Sequence, residues 1–158
     1  MNFAIRKARP GDEAAILALL KGLAEFEHLE AKFHLTLDAV KRDVFGPHPA
    51  MAAALAFEGD RPVGIATWYG TYSSFAARRG LFIEDIFVLP EKRGQGLGRA
   101  FFAFLAAEAK REGALRIDWL VLDWNKKAQG FYRSLGGKPV EEWLIYRLDE
   151  AAMDKLAP

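Results

Sequence analysis

The chain has 158 residues, 51% of them hydrophobic and 27% charged, with a formal net charge of +1 at pH 7 and no cysteine. That balance suits a globular protein with a sizeable core and argues against a dedicated nucleic-acid binder; the missing cysteine excludes disulfides, thiolate metal sites and a thiol nucleophile, and fits a cytoplasmic protein. The longest apolar run, residues 100–107, is far shorter than the roughly 20 residues of a membrane span, and MNFAIRKARPGDE carries no signal-peptide core. Without repeats, low-complexity tracts or long linkers, a single domain over residues 1–158 is expected.

Residues 2–7 read as a first strand. Pro10 and Asp12 open a helix, since proline is tolerated in a first turn and Gly11 or Asp12 can cap it. Ile16, Leu19, Leu20, Leu23 and Phe26 recur at three and four residues and give that helix one apolar face. Its end carries Glu25, Glu27 and Glu30 around Phe26 and His28, which reads either as a solvated helix end or as part of a cation-binding site. Residues 35–45 form a second short helix with Thr36 as its cap, ended by Gly46-Pro47-His48-Pro49. His28, His34 and His48 lack metal-ligand spacing and read as surface or loop residues, so no metal is expected. Residues 51–57 and 62–72, on either side of Glu58-Gly59-Asp60, make a β-hairpin, and residues 73–80 a loop with Arg78 and Arg79.

Residues 81–89 are rich in β-branched and aromatic types and stop at Pro90, as a strand does. Arg93-Gly94-Gln95-Gly96-Leu97-Gly98 follows, and a helix continues from Arg99 with Leu97, Phe101, Phe104, Leu105 and Glu108 at helical spacing. Three glycines before a helix start permit positive φ and remove Cβ atoms, while the helix's first N–H groups favour an anion; the bland alternative is a tight turn. A dinucleotide G-x-G-x-x-G fails here, because its last place holds Arg99 or Phe101, and the ATPase phosphate loop is absent. The pattern present is R-x-x-G-x-G, at Arg93, Gly96 and Gly98.

Residues 116–122 form another strand, and Asp123-Trp124-Asn125 turns into a helix over 126–135 closed by Gly136-Gly137. Residues 142–148 read as a last strand and 150–156 as a terminal helix. The alternation predicts an α/β (α+β) fold, a mixed sheet covered by helices on both faces. Trp68, Trp119, Trp124 and Trp143 are expected in core or interface, and Phe131-Tyr132 on a helix ordinarily packs in a core. Glu84-Asp85 is less ordinary, because a carboxylate buried in a strand costs several kcal/mol unless paired. It marks a site, a salt bridge or an exposed strand end, and plain alternation points Asp85 to the face opposite Glu84.

Several segments together resemble the GNAT N-acetyltransferase superfamily, in the right order and over almost the whole chain. They are Arg6-Lys7-Ala8 with Asp12; Glu84 to Leu89 with Arg93 to Gly98; and Val121 to Asn125 with Phe131-Tyr132 and Leu135-Gly136. L-A-E-F-E-H-L-E, F-G-P-H-P, I-E-D-I-F-V, L-D-W-N and F-Y-R-S-L-G are similar to its spermidine/spermine (diamine) N1-acetyltransferase group, nearest the thialysine N-acetyltransferase branch. The resemblance implies a mostly antiparallel sheet with a splayed central strand pair, an acetyl-CoA-dependent N-acetyltransferase, and a homodimer. Backbone of Ile86, Phe87 and Val88 would bond the pantetheine arm. Arg93, Gly94, Gln95, Gly96, Leu97, Gly98 and Arg99 would bind the pyrophosphate. Asn125, Lys126, Lys127 and Ala128 would hold the far side of the cofactor. Phe26, Glu27, Glu84 and Asp85 would line the amine site, and Tyr132 would sit by the sulfur.

The chemistry asks for the same residue types. An alkyl ammonium of pKa about 10.4 cannot attack a thioester until a base takes its proton, and Glu84 suits that role. The leaving thiolate resembles a cysteine thiolate of pKa about 8.5, so a phenol such as Tyr132 can protonate it. Direct attack in a ternary complex is preferred, because no cysteine can carry the acyl group. In the loop before the central strand, Ser74 stands where the polyamine enzymes carry an acid, with Arg78 and Arg79 close by, and the loop over 138–142 is shorter. Like charges repel a polycation, so these departures favour a smaller, lysine-like amine. The alternatives are a protein or peptide acetyltransferase and a non-catalytic acyl-CoA-binding module.

Overall fold

In the computed structural model, which describes residues 3–157, five strands form one sheet in the order β1-β2-β3-β4-β5. They are β1 (Phe3–Lys7), β2 (Ala52–Glu58), β3 (Arg61–Ser73), β4 (Arg78–Val88) and β5 (Ile117–Trp119). The first four pair antiparallel and β5 runs parallel to β4. Asn2, placed in the first strand from sequence, lies outside the described residues. The chain divides into two units, Met1–Leu120 and Val121–Pro158. The first holds the sheet with α1 (Glu13–Glu27), α2 (Leu37–Phe45) and α3 (Leu97–Arg111); the second holds α4 (Lys126–Ser134) and α5 (Glu150–Asp154).

Strand alternation sorts the first unit's apolar side chains onto two faces. Ala54, Ala56, Trp68, Leu81 and Ile83 pack with Leu97, Phe101, Leu105 and Ala109 of α3. On the opposite face Ala53, Leu55, Ile65 and Phe87 pack with Ile16, Leu19 and Leu20 of α1 and Val40 of α2. Each fully buried Leu, Ile, Val or Phe side chain among them stabilises the fold by about 1.5–3 kcal/mol. Gly64 lets α3 lie close on the sheet: a Cβ there would come 2.9 Å from the Phe101 ring and 3.0 Å from the Phe87 carbonyl oxygen. The helices α1 to α4 appear within a few residues of where periodicity predicts them. Thr36 caps α2 as expected, its Oγ1 accepting from the Ala39 N–H at 3.1 Å.

Four sequence expectations are corrected. The predicted loop 73–80 is mostly ladder, because pairing of β3 with β4 continues to Ser73 opposite Arg78 and leaves only 74–77 as the turn. The strand predicted over 116–122 pairs only at Ile117–Trp119. Residues 142–148 form no strand: their apolar run has strand propensity, but no ladder partner meets it among the described residues, and Trp143, Leu144, Ile145, Tyr146 and Leu148 are exposed. The terminal helix is shorter than 150–156, ending at Asp154. Of the tryptophans, Trp68 is in the core and Trp119 packs edge-on against Phe102, whereas Trp124 and Trp143 are exposed. His28, His34 and His48 are exposed, as expected.

Because β5 is short, it pairs with β4 only at Leu81, Phe82 and Ile83. Beyond Ile83 the β5-side edge of β4 has no strand partner among the described residues. The resemblance implied a splayed central pair; the ladder shows pairing of β4 with β5 ending at Ile83, and Ile86, Phe87 and Val88 lie beyond that point.

Candidate active site

A one-residue bulge in β4 organises the site. Thr67 is opposite Asp85 and Trp68 is opposite Ile83, so Glu84 is the extra residue. A bulge breaks the alternation of a strand and re-aims the side chains around it. Ile83 and Ile86 both pack toward α3, while Phe87 packs toward α1. Glu84 and Asp85 are thereby turned to the α1 face together, and the expectation that Asp85 points away from Glu84 is corrected. The Asp85 charge acts on Glu84, and the Glu84 charge acts on Tyr69, which stacks on Phe82 of the same face at 5.2 Å.

The Asp85 charge acts on two other carboxyl groups, Glu84 and Glu27. Burial pushes the Glu84 carboxyl up, and the neighbouring Asp85 charge pushes it further. Glu27, at the end of α1, is raised by the same two causes in the same order. Asp85 is the most enclosed of the three: burial raises it, and a hydrogen bond from Thr67 opposes that rise. Tyr69 is raised by burial and then by Glu84. Carboxyl groups desolvated beside like charges attract a cation and are better bases than exposed ones. Among the described residues no three His, Cys, Asp or Glu side chains are arranged to hold a metal ion.

The glycine loop follows directly. Gly94 (φ 75°) and Gly96 (φ 84°) take the left-handed conformation, with Gly96 at the N-cap of α3. Gly94, Gln95 and Gly96 are exposed, whereas the Leu97 side chain is buried in the core and pins the helix start. No side chain caps α3, and no acidic residue stands in its first turn. Such a helix start presents N–H groups and a positive dipole end to an anion. The turn before it is held by Arg61 on Glu91 at 2.7 Å and by Lys92 on Glu58.

Arg93 faces inward rather than toward the loop opening. Its Nε donates to the Val88 carbonyl at 3.0 Å, and its guanidinium lies 4.3 Å from the centre of the Phe26 ring and 5.6 Å from that of Phe87. Burial lowers its pKa from the usual arginine value. Phe26 therefore lies beneath Arg93, next in sequence to Glu27.

In the second unit, Asn125 caps α4, its Oδ1 accepting from the Ala128 N–H at 3.1 Å. Lys126 and Lys127 are exposed on the first turn of α4, and Ala128 is half-buried. Tyr132 is half-buried on α4, its ring 5.6 Å from that of Phe131. Within the first unit, then, the structure brings together Phe26, Glu27, Glu84, Asp85 and Arg93 at one end of β4 and α1, with Ile86, Phe87, Val88 and residues 94–99 continuing from them. Sequence reasoning missed Thr67 and Tyr69. A threonine inside the apolar run of β3 is the one signal that could have pointed to them.

The chain is similar to known proteins over nearly its whole length. The model of the "Acetyltransferase (GNAT) family" matches residues 15–136. A thialysine N-epsilon-acetyltransferase of Mus musculus is 35% identical, over 97% of this chain and 96% of its own length. A thialysine N-epsilon-acetyltransferase of Caenorhabditis elegans is 31% identical over 99% and 98%. Among solved structures, an integron cassette protein from the mobile metagenome of V. cholerae superposes with a TM-score of 0.83 at 22% identity, over 99% and 98% of the two chains, which shows a shared fold.

Proposed function

The chain belongs to the acetyltransferase (GNAT) family and is an N-acetyltransferase; from that premise we propose that it transfers acetyl from acetyl-CoA to a primary amine of a small, lysine-like cation. The observation that carries the acceptor half of this reading is the carboxyl pair Glu84 and Asp85 at the β4 bulge, with Glu27 of α1 within reach of the Asp85 charge. An ammonium entering it gains charge partners and meets a base. Names of near full-length relatives support the amine class, since they are thialysine N-epsilon-acetyltransferases. Ser74 and the arginines 78 and 79 support a small amine over a polyamine.

In this reading the cofactor's pyrophosphate meets the backbone N–H groups of residues 94–99 at the uncapped start of α3. Its pantetheine arm lies along Ile86, Phe87 and Val88, where β4 has lost its β5 partner. Asp85 and Glu27 hold the ammonium, and Glu84 accepts a proton from it, directly or through water. The free amine attacks the acetyl carbonyl, with a backbone N–H of the opened strand facing the developing oxyanion. The tetrahedral species expels the thiolate, and Tyr132 protonates it. Asn125, Lys126, Lys127 and Ala128 attend the far side of the cofactor. A single catalytic domain over 1–158, cytoplasmic and homodimeric, completes the proposal; exposed Trp143, Leu144 and Ile145 are surface of the kind an interface covers.

The test is thiol release from acetyl-CoA with a panel of spermidine, putrescine, thialysine, lysine, other amino acids and a basic peptide. Turnover of a lysine-like amine, lost in Glu84→Gln, supports the reading. Turnover confined to the peptide would replace it with a protein acetyltransferase. Cofactor binding with no turnover of any amine would replace it with a binding module.

A further inference from the structure

Among the described residues Thr67 is the one buried polar side chain, with no exposed surface, in the middle of an apolar stretch of β3. Such a hydroxyl costs free energy unless its hydrogen bonds are met. Both are met by one residue: Thr67 Oγ1 is 2.6 Å from Asp85 Oδ2, and the Asp85 backbone N–H donates to Oγ1 at 3.1 Å. The N–H can only donate and an ionised carboxylate can only accept, so the hydroxyl receives the first and gives its single proton to Oδ2. The pair also spans the bulge, joining β3 to the residue beside the extra Glu84.

We propose that Thr67 is a positioning residue for the acceptor site, holding the Asp85 carboxylate in one orientation so that Asp85 binds the amine and Glu84 is left to take its proton. This rests on the acceptor reading given above. The three carboxyls are otherwise alike in chemistry, and two neighbouring acids do not by themselves divide the work of holding a cation and removing a proton. The Thr67 hydroxyl divides it. Asp85 accepts from a buried donor that orients its carboxyl and opposes the rise burial imposes, whereas among the described residues no side-chain hydrogen bond of this kind reaches Glu84. The titratable groups that face Asp85 are Glu27 from α1 and Glu84 on its own strand, with Tyr69 of β3 beyond Glu84. None of them supplies a positive charge to Asp85, so the hydroxyl is the group that favours its ionised form.

The experiment compares Thr67→Val, which keeps the shape and removes the hydroxyl, with Thr67→Ser, which keeps the hydroxyl and removes the methyl. For Thr67→Val the amine KM rises about tenfold (~1.4 kcal/mol), the acetyl-CoA KM does not change, and the acidic limb of kcat/KM moves to higher pH. Thr67→Ser retains the wild-type pH profile. Alongside, carboxyl-carbon NMR titration of the free protein shows Asp85 titrating at higher pH in Thr67→Val than in wild type. Equal Asp85 titration in wild type and Thr67→Val would overturn the proposal; so would a Thr67→Ser enzyme as impaired as Thr67→Val, since the role would then be packing. If the wild type turns over no amine, the acceptor reading fails on its own, while the NMR comparison still decides what Thr67 does to Asp85.

Discussion

The guanidinium of Arg93 lies 4.3 Å from the centre of the Phe26 ring. Arg93 opens the glycine loop and Phe26 ends α1 beside Glu27, so this contact joins the element assigned to the cofactor to the element assigned to the amine. The arginine also donates Nε–H to the Val88 carbonyl, fixing the loop to the end of β4. Lysine cannot reproduce this pair of contacts, since it has neither the planar face nor a donor at the Nε position. Arg93→Lys is expected to raise the KM for acetyl-CoA about tenfold and the KM for the amine severalfold. It should lower stability by about 1–2 kcal/mol through the lost stacking and hydrogen bond. Steady-state kinetics with both substrates and a denaturant melt check it; unchanged KM values would show that the contact is purely structural.

Glu84 is expected to act as base, and its environment sets the pH dependence. Burial and the Asp85 charge raise its pKa above the ordinary carboxylate range. A base works only when deprotonated, so kcat/KM should fall as pH drops through that raised value rather than near pH 4. Glu84→Gln should lower kcat by about 10²–10⁴-fold and leave the cofactor KM in place. It should also remove the Glu84 ionisation from the acidic limb and leave that of Asp85, which a pH–rate profile measures directly.

Much of this was legible in the chain. R-x-x-G-x-G after a β-rich run located the loop, and the apolar spacing of Ile16, Leu19 and Leu20 located the helix that carries Phe26 and Glu27. The bulge was not legible, because it is a property of two strands: only the register against Thr67 and Trp68 makes Glu84 the extra residue and turns Asp85 to the same side. Thr67 was hidden for the same reason, its partner being 18 positions away in the chain. At 142–148 propensity pointed to a strand, but a strand also requires a neighbour to pair with, and the composition of W-L-I-Y-R-L carries no information about one.

Asp12 tests the frame of the first unit rather than its chemistry. It sits at the N-cap of α1, yet its carboxylate bonds Arg6 at 2.6 and 2.9 Å and the Arg9 N–H at 2.8 Å instead of capping the helix. Those bonds, the Arg6 one foremost, lower its pKa in the folded protein. A depressed folded pKa means stability that is fully present above the unfolded value, about 3.9, and is lost as pH falls through the folded value. Asp12→Asn should therefore cost about 1–3 kcal/mol at neutral pH, with the gap between variant and wild type closing toward pH 2. Urea melts across that range measure it, and a gap independent of pH would assign the loss to something other than the ion pair.

Glu27 gives the opposite sign. Its pKa is raised by burial first and by the Asp85 charge second, so ionising it in the folded protein is unfavourable. A raised folded pKa means a stabilising contribution present below the unfolded value and lost as pH rises through the folded one. At neutral pH the ionised Glu27 thus opposes folding, by an amount that its partial exposure to solvent keeps small. Glu27→Gln removes the charge and keeps the shape, so the melting temperature should rise modestly at pH 7 and match wild type at pH 3. The same substitution should raise the amine KM severalfold, because one of the three groups that attract the cation is gone, while the acetyl-CoA KM stays constant. A residue that lowers stability at working pH yet strengthens amine binding is retained for the site. If Glu27→Gln were less stable than wild type at pH 7, with the amine KM unchanged, Glu27 would be a framework residue and the acceptor pocket would consist of Glu84 and Asp85 alone.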